Sequence, residues 1–285
     1  MVILNGKEYR EKLLEEYKEK INNLDITLAI IQVGDEYASN LYINNKIKYC
    51  TSAGITVKHF KLLNVNDEDK VISLIDELNN DKNITGIILQ SPTPNLDFDK
   101  MAETIADEKD VDGFTKNNIF NLYMNNETIL PCTVKGIIKL LEFYNIPIES
   151  SNVAIVGRGN IVGKPLALAL ENRNATVTLC NSKTKNLKEI TKNSDIIVSA
   201  AGVAHLIKED MVKDGFVGVD VGINRINGKL VGDFDYENIK EKASFITPVP
   251  GGVGPMTIAM IIDNLIEMKE KEMTKVSNKV KSKSI

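Results

Sequence analysis

Short runs of aliphatic and β-branched residues alternate with longer amphipathic segments along nearly the whole chain, and that alternation permits few folds. ITLAIIQVG (26–34), TVKHFKLL (56–63) and ITGIILQ (84–90) read as strands; 7–22, 37–53, 67–80 and 97–107 read as helices. Strands separated by helices cannot pair as hairpins, so they lie parallel with right-handed crossovers. PCTVKG (131–136) opens a helix running to about Tyr144, which is expected to link two domains, and the pattern then restarts at Ser151. NVAIVG (152–157), TVTLC (176–180), DIIVSA (195–200), FVGVDVG (216–222) and the start of ASFITPVPGGVGPMT (243–257) are strands, with a helix over 160–173. A last helix over 256–271, apolar on one face, is expected to return to the first domain, and Thr257 to cap it. The expected fold class is α/β: two three-layer α/β domains, the second a Rossmann-like dinucleotide-binding domain, with the active site in the interdomain cleft. The expected boundaries are 1–139 plus 256–271, then 140–255, then a basic, disordered tail over 272–285.

Composition removes several function classes. A net charge of −4 argues against nucleic acid as the main partner. No stretch approaches the length of a membrane span, and the N-terminus turns charged too soon for a secretory signal. Cys50, Cys132 and Cys180 lie far apart without zinc-ligand spacing, which fits a reducing cytoplasm and no metal. His59 and His205 have no partner motif, so lysine or carboxylates must carry any proton transfer.

Four places carry chemistry. On the helix over 37–53, Ser39, Tyr42 and Lys46 share one face at spacings of three and four. An aromatic ring one turn before an amine can hold a flat substrate against a proton-transfer group, provided burial or a cationic neighbour lowers the lysine pKa; a solvated helix face is the other reading. SPTP (91–94) breaks the third strand, which places Gln90 at the ligand-binding end of a parallel sheet or makes it an ordinary strand-end polar residue. EKDVDGF (108–114) is a turn-rich loop whose Asp112 either accepts from a ligand or caps the turn before Gly113. Val156–Gly163 follows a strand and opens a helix, so its glycines either cradle a phosphate or simply turn the chain. Its spacing is GxGxxxG, one residue longer than the usual fingerprint. The segment after TVTLC is Asn181-Ser182-Lys183-Thr184, with no acid for a ribose 2′-hydroxyl. Arg158 and Lys183 would attract a 2′-phosphate, which favours NADP over NAD, unless Lys183 and Lys185 are a solvated pair.

Taken in order, VGDEYASNLYINNK, GIILQSPTP, EKDVDGF, PCTVKG, VGRGNIVGKP, CNSKTKNL, DVGINR and TPVPGGVGPMT resemble the methylenetetrahydrofolate dehydrogenase/methenyltetrahydrofolate cyclohydrolase family across almost the whole chain. The resemblance implies two linked reactions. 5,10-Methylenetetrahydrofolate is oxidised by NADP⁺ to the 5,10-methenyl cation, and water opens that cation to 10-formyltetrahydrofolate. It further implies that Lys46 carries the hydrolytic proton transfers, Tyr42 stacks on the folate, Gln90 hydrogen-bonds and positions Lys46, and Asp112 binds the pterin. A protonated lysine would repel the methenyl cation, so Lys46 is expected to work as the neutral amine, with burial and the Gln90 contact favouring that form. Gly157, Arg158, Gly159, Asn160, Gly163, Asn181, Ser182, Lys183 and Ile223 would hold the cofactor, and Pro250, Gly251 and Gly252, with Val253, would contact folate and nicotinamide. A cytoplasmic homodimer with a folate substrate, no nucleic acid and no membrane partner is the implied working form.

The chain departs from the family pattern at several positions. Gly159 stands where many members have serine, Asn181 where histidine is common, Ser91 and Thr93 where apolar residues follow the glutamine, and Val134 where proline is frequent. The hydrolytic set is complete and the cofactor set altered, so the alternatives are a cyclohydrolase with weak or NAD-preferring dehydrogenase activity, another NAD(P)-dependent dehydrogenase, or a folate- or nucleotide-binding protein without turnover.

Overall fold

The computed structural model describes residues 1–63 and 66–282. Its elements in chain order are β1 (Val2–Ile3), α1 (Gly6–Ile21), β2 (Thr27–Val33), α2 (Tyr37–Ser52), β3 (Thr56–Leu62), α3 (Glu68–Asn80), β4 (Gly86–Gln90), α4 (Phe98–Ala102), α5 (Lys116–Tyr123) and α6 (Cys132–Phe143). They continue with β5 (Asn152–Val156), α7 (Gly163–Glu171), β6 (Thr176–Cys180), α8 (Leu187–Lys192), β7 (Ile196–Ser199), β8 (Phe216–Asp220), β9 (Asn224–Ile226), β10 (Lys229–Val231), α9 (Tyr236–Ile239), β11 (Ala243–Ile246) and α10 (Val253–Ser282). The chain divides into two compact units: Met1–Lys12, Leu122–Asn126 and Thr133–Thr257 form the first, and Leu13–Asn121, Glu127–Cys132 and Ile258–Ile285 the second.

The second unit is built on a parallel sheet of order β3-β2-β4. Its central strand β2 is buried at every position, which is why its sequence, TLAIIQV, is mostly apolar rather than alternating. Val71, Ile75 and Leu78 of α3 pack on Ala29, Ile31 and Val33 of β2 and on Ile87 and Leu89 of β4. The first unit holds a six-stranded sheet of order β1-β11-β8-β7-β5-β6, parallel throughout. β9 and β10 form an antiparallel hairpin beside it, and Phe216, Phe234, Ile239 and Ile246 fill its core.

Three expected elements differ. Only Phe98–Ala102 of the segment 97–107 is α-helical. Asn79 of α3 accepts from Ala106 N–H (2.9 Å) and donates to Thr104 C=O (2.7 Å), taking backbone groups a continuing helix would need. The helix expected over 160–173 begins only at Gly163, after the full glycine turn. The last helix begins at Val253, not 256, and runs to Ser282, through most of the expected tail. Thr257 therefore lies in its second turn and caps nothing; its Oγ1 is 3.1 Å from Thr133 Oγ1. Beyond Pro255 nothing breaks the ladder: neither proline nor glycine follows, and a Lys269–Glu272 pair at 3.0 Å supports the exposed face. Residues 283–285 of that tail lie outside the described residues.

Candidate functional site

In the second unit the site starts from α2. Ser39, Ile43 and Cys50 form its buried stripe, at spacings of four and seven. Lys46, three residues after Ile43, sits half-buried at the margin, and its Nζ donates to Gln90 Oε1 at 2.9 Å. Gln90 Nε2 donates to Ser91 C=O at 2.7 Å, and a carbonyl can only accept, so the amide oxygen must be the atom facing Lys46. An acceptor oxygen gives no preference for an uncharged amine. The contact places the nitrogen. Tyr42, 41% exposed, presents its ring one turn earlier on the same helix. Ser39 Oγ is buried without a hydrogen-bond partner among the described residues. Burial pushes the Cys50 thiol up to about 12, which rules it out as a nucleophile.

The first turn of α2 is anchored by residues that sequence patterning did not single out. Fully buried Gln32 donates through Nε2 to Asn40 Oδ1 (2.8 Å), and its Oε1 meets His59 Nε2 at 2.9 Å. Burial, then the neighbouring Lys61 charge, holds the His59 ring below the usual imidazole range.

Asp112 stands half-buried on a loop that runs parallel to β4, through the bridge Ile87↔Asp110, toward the end carrying Gln90. The other aspartate of that loop builds it. Asp110, 3% exposed, accepts from Gly113 N–H (2.9 Å), Thr115 N–H (2.8 Å) and Asn118 Nδ2 (3.0 Å). Asn264 of α10 donates to the carbonyls of Val111 (2.9 Å) and Leu130 (3.0 Å), fixing the residue before Asp112. Burial raises the Asp110 carboxyl from 3.8 to about 6, against the pull of its hydrogen bonds. The folded chain thus holds this proton more tightly than the unfolded chain, and ionisation opposes folding. The stability contribution is full below 3.8 and is lost as pH rises through about 6, a change of about 3 kcal/mol. Urea unfolding of wild type and Asp110→Asn across this window should show wild type losing stability relative to the variant as pH rises. Parallel pH curves would mean that Asp110 ionises like a surface acid.

In the first unit the glycine turn follows β5. Gly157 has φ +116°, and a Cβ there would strike the Ala200 carbonyl; a Cβ on Gly163 would strike the Gly157 carbonyl. Side chains are thus excluded from the inside of the turn. At the start of α7, Lys164 N–H donates to Gly159 C=O (3.1 Å), Leu166 N–H donates to Val162 C=O (2.9 Å) and Pro165 has no N–H, so an anion there would rely on Gly163 N–H and the turn before it. Gly159 is different, with open space around its Cβ direction, so no packing reason accounts for a glycine there. Arg158 is exposed beside the turn, while Asn160 Oδ1 accepts from Lys164 Nζ at 2.8 Å. Gly157 N–H donates to Cys180 C=O at 3.0 Å, which brings the turn against the segment after β6. There Asn181 Oδ1 accepts from Lys183 N–H (2.9 Å), leaving Ser182 and Lys183 exposed. Turn shape and donor set together fit a dinucleotide carrying an extra phosphate.

Ile223, 49% exposed, follows β8, two strands from β5. Pro250–Gly252 follow β11 after a cis Val249–Pro250 peptide, and Lys7 N–H donates to Gly251 C=O at 3.0 Å. The expected folate contacts are therefore divided: Tyr42, Lys46, Gln90 and Asp112 belong to the second unit, and Pro250, Gly251 and Gly252 to the first. Among the described residues no group of three or more His, Cys, Asp or Glu side chains could hold a metal. All three cysteines are free, and no described helix is long and apolar enough to cross a membrane.

This is a two-unit α/β chain in which a parallel sheet with a dinucleotide turn accompanies a second sheet bearing a Lys–Gln pair. Residues 4–112 match the catalytic-domain model of tetrahydrofolate dehydrogenase/cyclohydrolase, and residues 131–273 match the NAD(P)-binding-domain model. The chain belongs to the tetrahydrofolate dehydrogenase/cyclohydrolase family. It is 46% identical over 276 residues to the bifunctional protein FolD of Lactobacillus acidophilus, covering 95% of this chain and 98% of that protein. The crystal structure of the bifunctional enzyme FolD, a methylenetetrahydrofolate dehydrogenase/cyclohydrolase from Campylobacter jejuni, matches with a TM-score of 0.93 and 43% identity over 95% of this chain and 99% of that one. The Trypanosoma brucei methylenetetrahydrofolate dehydrogenase-cyclohydrolase, complexed with NADP cofactor and inhibitor, matches with a TM-score of 0.91 and 30% identity over 96% and 98%.

Proposed function

We infer that this chain oxidises 5,10-methylenetetrahydrofolate to the 5,10-methenyl cation with NADP⁺ and hydrolyses the cation to 10-formyltetrahydrofolate. The observation that carries the hydrolytic half is the Lys46 Nζ–Gln90 Oε1 contact of 2.9 Å, one helical turn from the Tyr42 ring. The methenyl carbon is already electrophilic, so attack by water needs a proton acceptor more than an activator. A bound cation disfavours a second positive charge on Nζ by Coulomb repulsion, so the substrate itself selects the neutral amine. Lys46 then takes a proton from the attacking water as the C–O bond forms. It returns a proton to the ring nitrogen as the C–N bond breaks. Gln90 holds Nζ in place, Tyr42 stacks on the folate, and Asp112 accepts from the amino and ring N–H groups of the pterin. Pro250, Gly251 and Gly252 let flat rings approach the backbone.

Bound NADP⁺ supplies the hydride acceptor. Gly157, Gly159, Asn160 and Gly163 would form its phosphate cradle, with Asn181, Ser182 and Ile223 alongside, and Arg158 and Lys183 would meet the 2′-phosphate. Arg158→Ala is expected to weaken NADP⁺ use by about tenfold, and NAD⁺ use much less, because one charge-assisted phosphate contact is lost. Steady-state kinetics with both dinucleotides checks this, and equal losses would remove Arg158 from the phosphate site. The overall reading is tested by incubating the protein with methenyl- or methylenetetrahydrofolate, with and without NADP⁺ or NAD⁺, and following absorbance. No conversion of either folate would refute it. Buried free thiols and a net charge of −4 support a cytoplasmic enzyme without a nucleic-acid or membrane partner, and the family resemblance supports a homodimer.

A further inference from the structure

In the first unit the chain leaves β5 for β6 on one side, then returns past β5 to β7 on the other. In open parallel sheets the crevice at such a switch point receives the ligand. One wall here is the glycine turn 157–163. The other is the loop leaving β7, whose Ala200 N–H donates to Val156 C=O at 2.8 Å and whose Ala200 carbonyl occupies the place a Gly157 Cβ would take. This second loop aims the N–H groups of Ala201, Gly202 and Val203 at one carboxylate. Consecutive N–H groups of this kind form an anion-binding concavity. Here the anion is internal. Asp233, fully buried, accepts on Oδ2 from Ser199 Oγ (3.0 Å), Ala201 N–H (2.7 Å) and Gly202 N–H (3.1 Å). It accepts on Oδ1 from Val203 N–H (2.9 Å) and Asn224 Nδ2 (3.0 Å). Asn224 directly follows Ile223, so the same side chain also ties down the loop leaving β8.

We propose that Asp233 is a positioning residue for the dinucleotide: it fills the anion nest after β7, sets the 200–203 wall of the crevice, and leaves the glycine turn as the place for the cofactor phosphates. The role rests on the dinucleotide-dependent oxidation proposed above. Asp233 itself is buried beneath the loop and acts through the backbone it holds.

Asp233→Asn keeps the shape but replaces one acceptor oxygen with an NH₂ group. At least two of the five donors then lose their partner. On the full-length chain, KM and Kd for NADP⁺ should rise about tenfold while kcat for oxidation changes by less than about threefold. Methenyl hydrolysis, which uses no dinucleotide, should stay within about twofold of wild type and reports that the chain is folded. A general structural defect would instead lower kcat and hydrolysis together at constant KM. NADP⁺ parameters within about twofold of wild type, with hydrolysis intact, would overturn the proposal. If Asp233→Asn does not fold, Ser199→Ala and Asn224→Ala each remove one donor and keep the carboxylate; each should raise KM for NADP⁺ about threefold, and no rise in either would overturn it. Wild type that hydrolyses methenyltetrahydrofolate yet neither binds nor reduces NADP⁺ would refute the dinucleotide reading itself, and this role with it. Wild type that binds NADP⁺ alongside unaltered variants would refute the role alone.

Discussion

Lys46→Met is expected to lower methenyltetrahydrofolate hydrolysis by about 10²- to 10⁴-fold, the range typical of losing a positioned acid–base group, while folate still binds. Methionine matches the lysine stem in length and apolar character, so the margin of α2 stays packed. What disappears is the nitrogen 2.9 Å from Gln90 Oε1, and with it the acceptor for the proton of the attacking water. Tyr42 and Asp112, the proposed binding groups, are untouched. The measurement is the decay of methenyltetrahydrofolate absorbance against the spontaneous rate, paired with a folate-binding titration. Near-normal hydrolysis would take Lys46 out of the mechanism, and lost binding would make it a substrate contact instead.

The second large effect is expected at Gly163. An alanine methyl there has no room, because the Gly157 carbonyl already lies in its place and the Arg158 backbone is 2.9 Å away. Either the turn opens or the start of α7 shifts, and both spoil the anion cradle. Overpacking of this kind costs about 3 kcal/mol, so NADP⁺ affinity should fall about a hundredfold. Because the Lys46–Gln90 pair belongs to the other unit, methenyl hydrolysis should survive. Titration of NADP⁺ into Gly163→Ala, with hydrolysis measured on the same sample, checks both halves. Unchanged affinity would mean that the dinucleotide is held elsewhere.

Much of the site is legible along the chain because it follows local periodicity. Tyr42 and Lys46 share a helix face at a spacing of four, and β2 and β5 carry the apolar stretches Leu28–Ile31 and Val153–Val156 because buried parallel strands need them. Gly157 and Gly163 stand at a strand-to-helix junction, a local context that already marks a tight turn. The residues missed are those whose role depends on distant partners. In EKDVDGF the two aspartates look alike, yet Asp110 is consumed by its own loop and Asp112 is not among its donors or acceptors. Asn264 meets the Val111 carbonyl across 153 residues of sequence, and Asp233 meets Ser199 across 34. No window of helix or strand periodicity contains either pair. Boundaries failed for a related reason. The segment 97–107 has helical periodicity, but Asn79 of another helix claims its backbone groups.

The order of strands and helices, the parallel sheets, the glycine turn and the Tyr42/Lys46 face are properties of the chain alone, because each arises from contacts within a few residues or from burial of a continuous run. Which oxygen of Gln90 faces Lys46, which acid shapes the loop beside Asp112, and which carboxylate closes the nest after β7 were decided only by the folded molecule. Such choices depend on hydrogen-bond partners that folding brings together and on desolvation, and neither is written into local spacing.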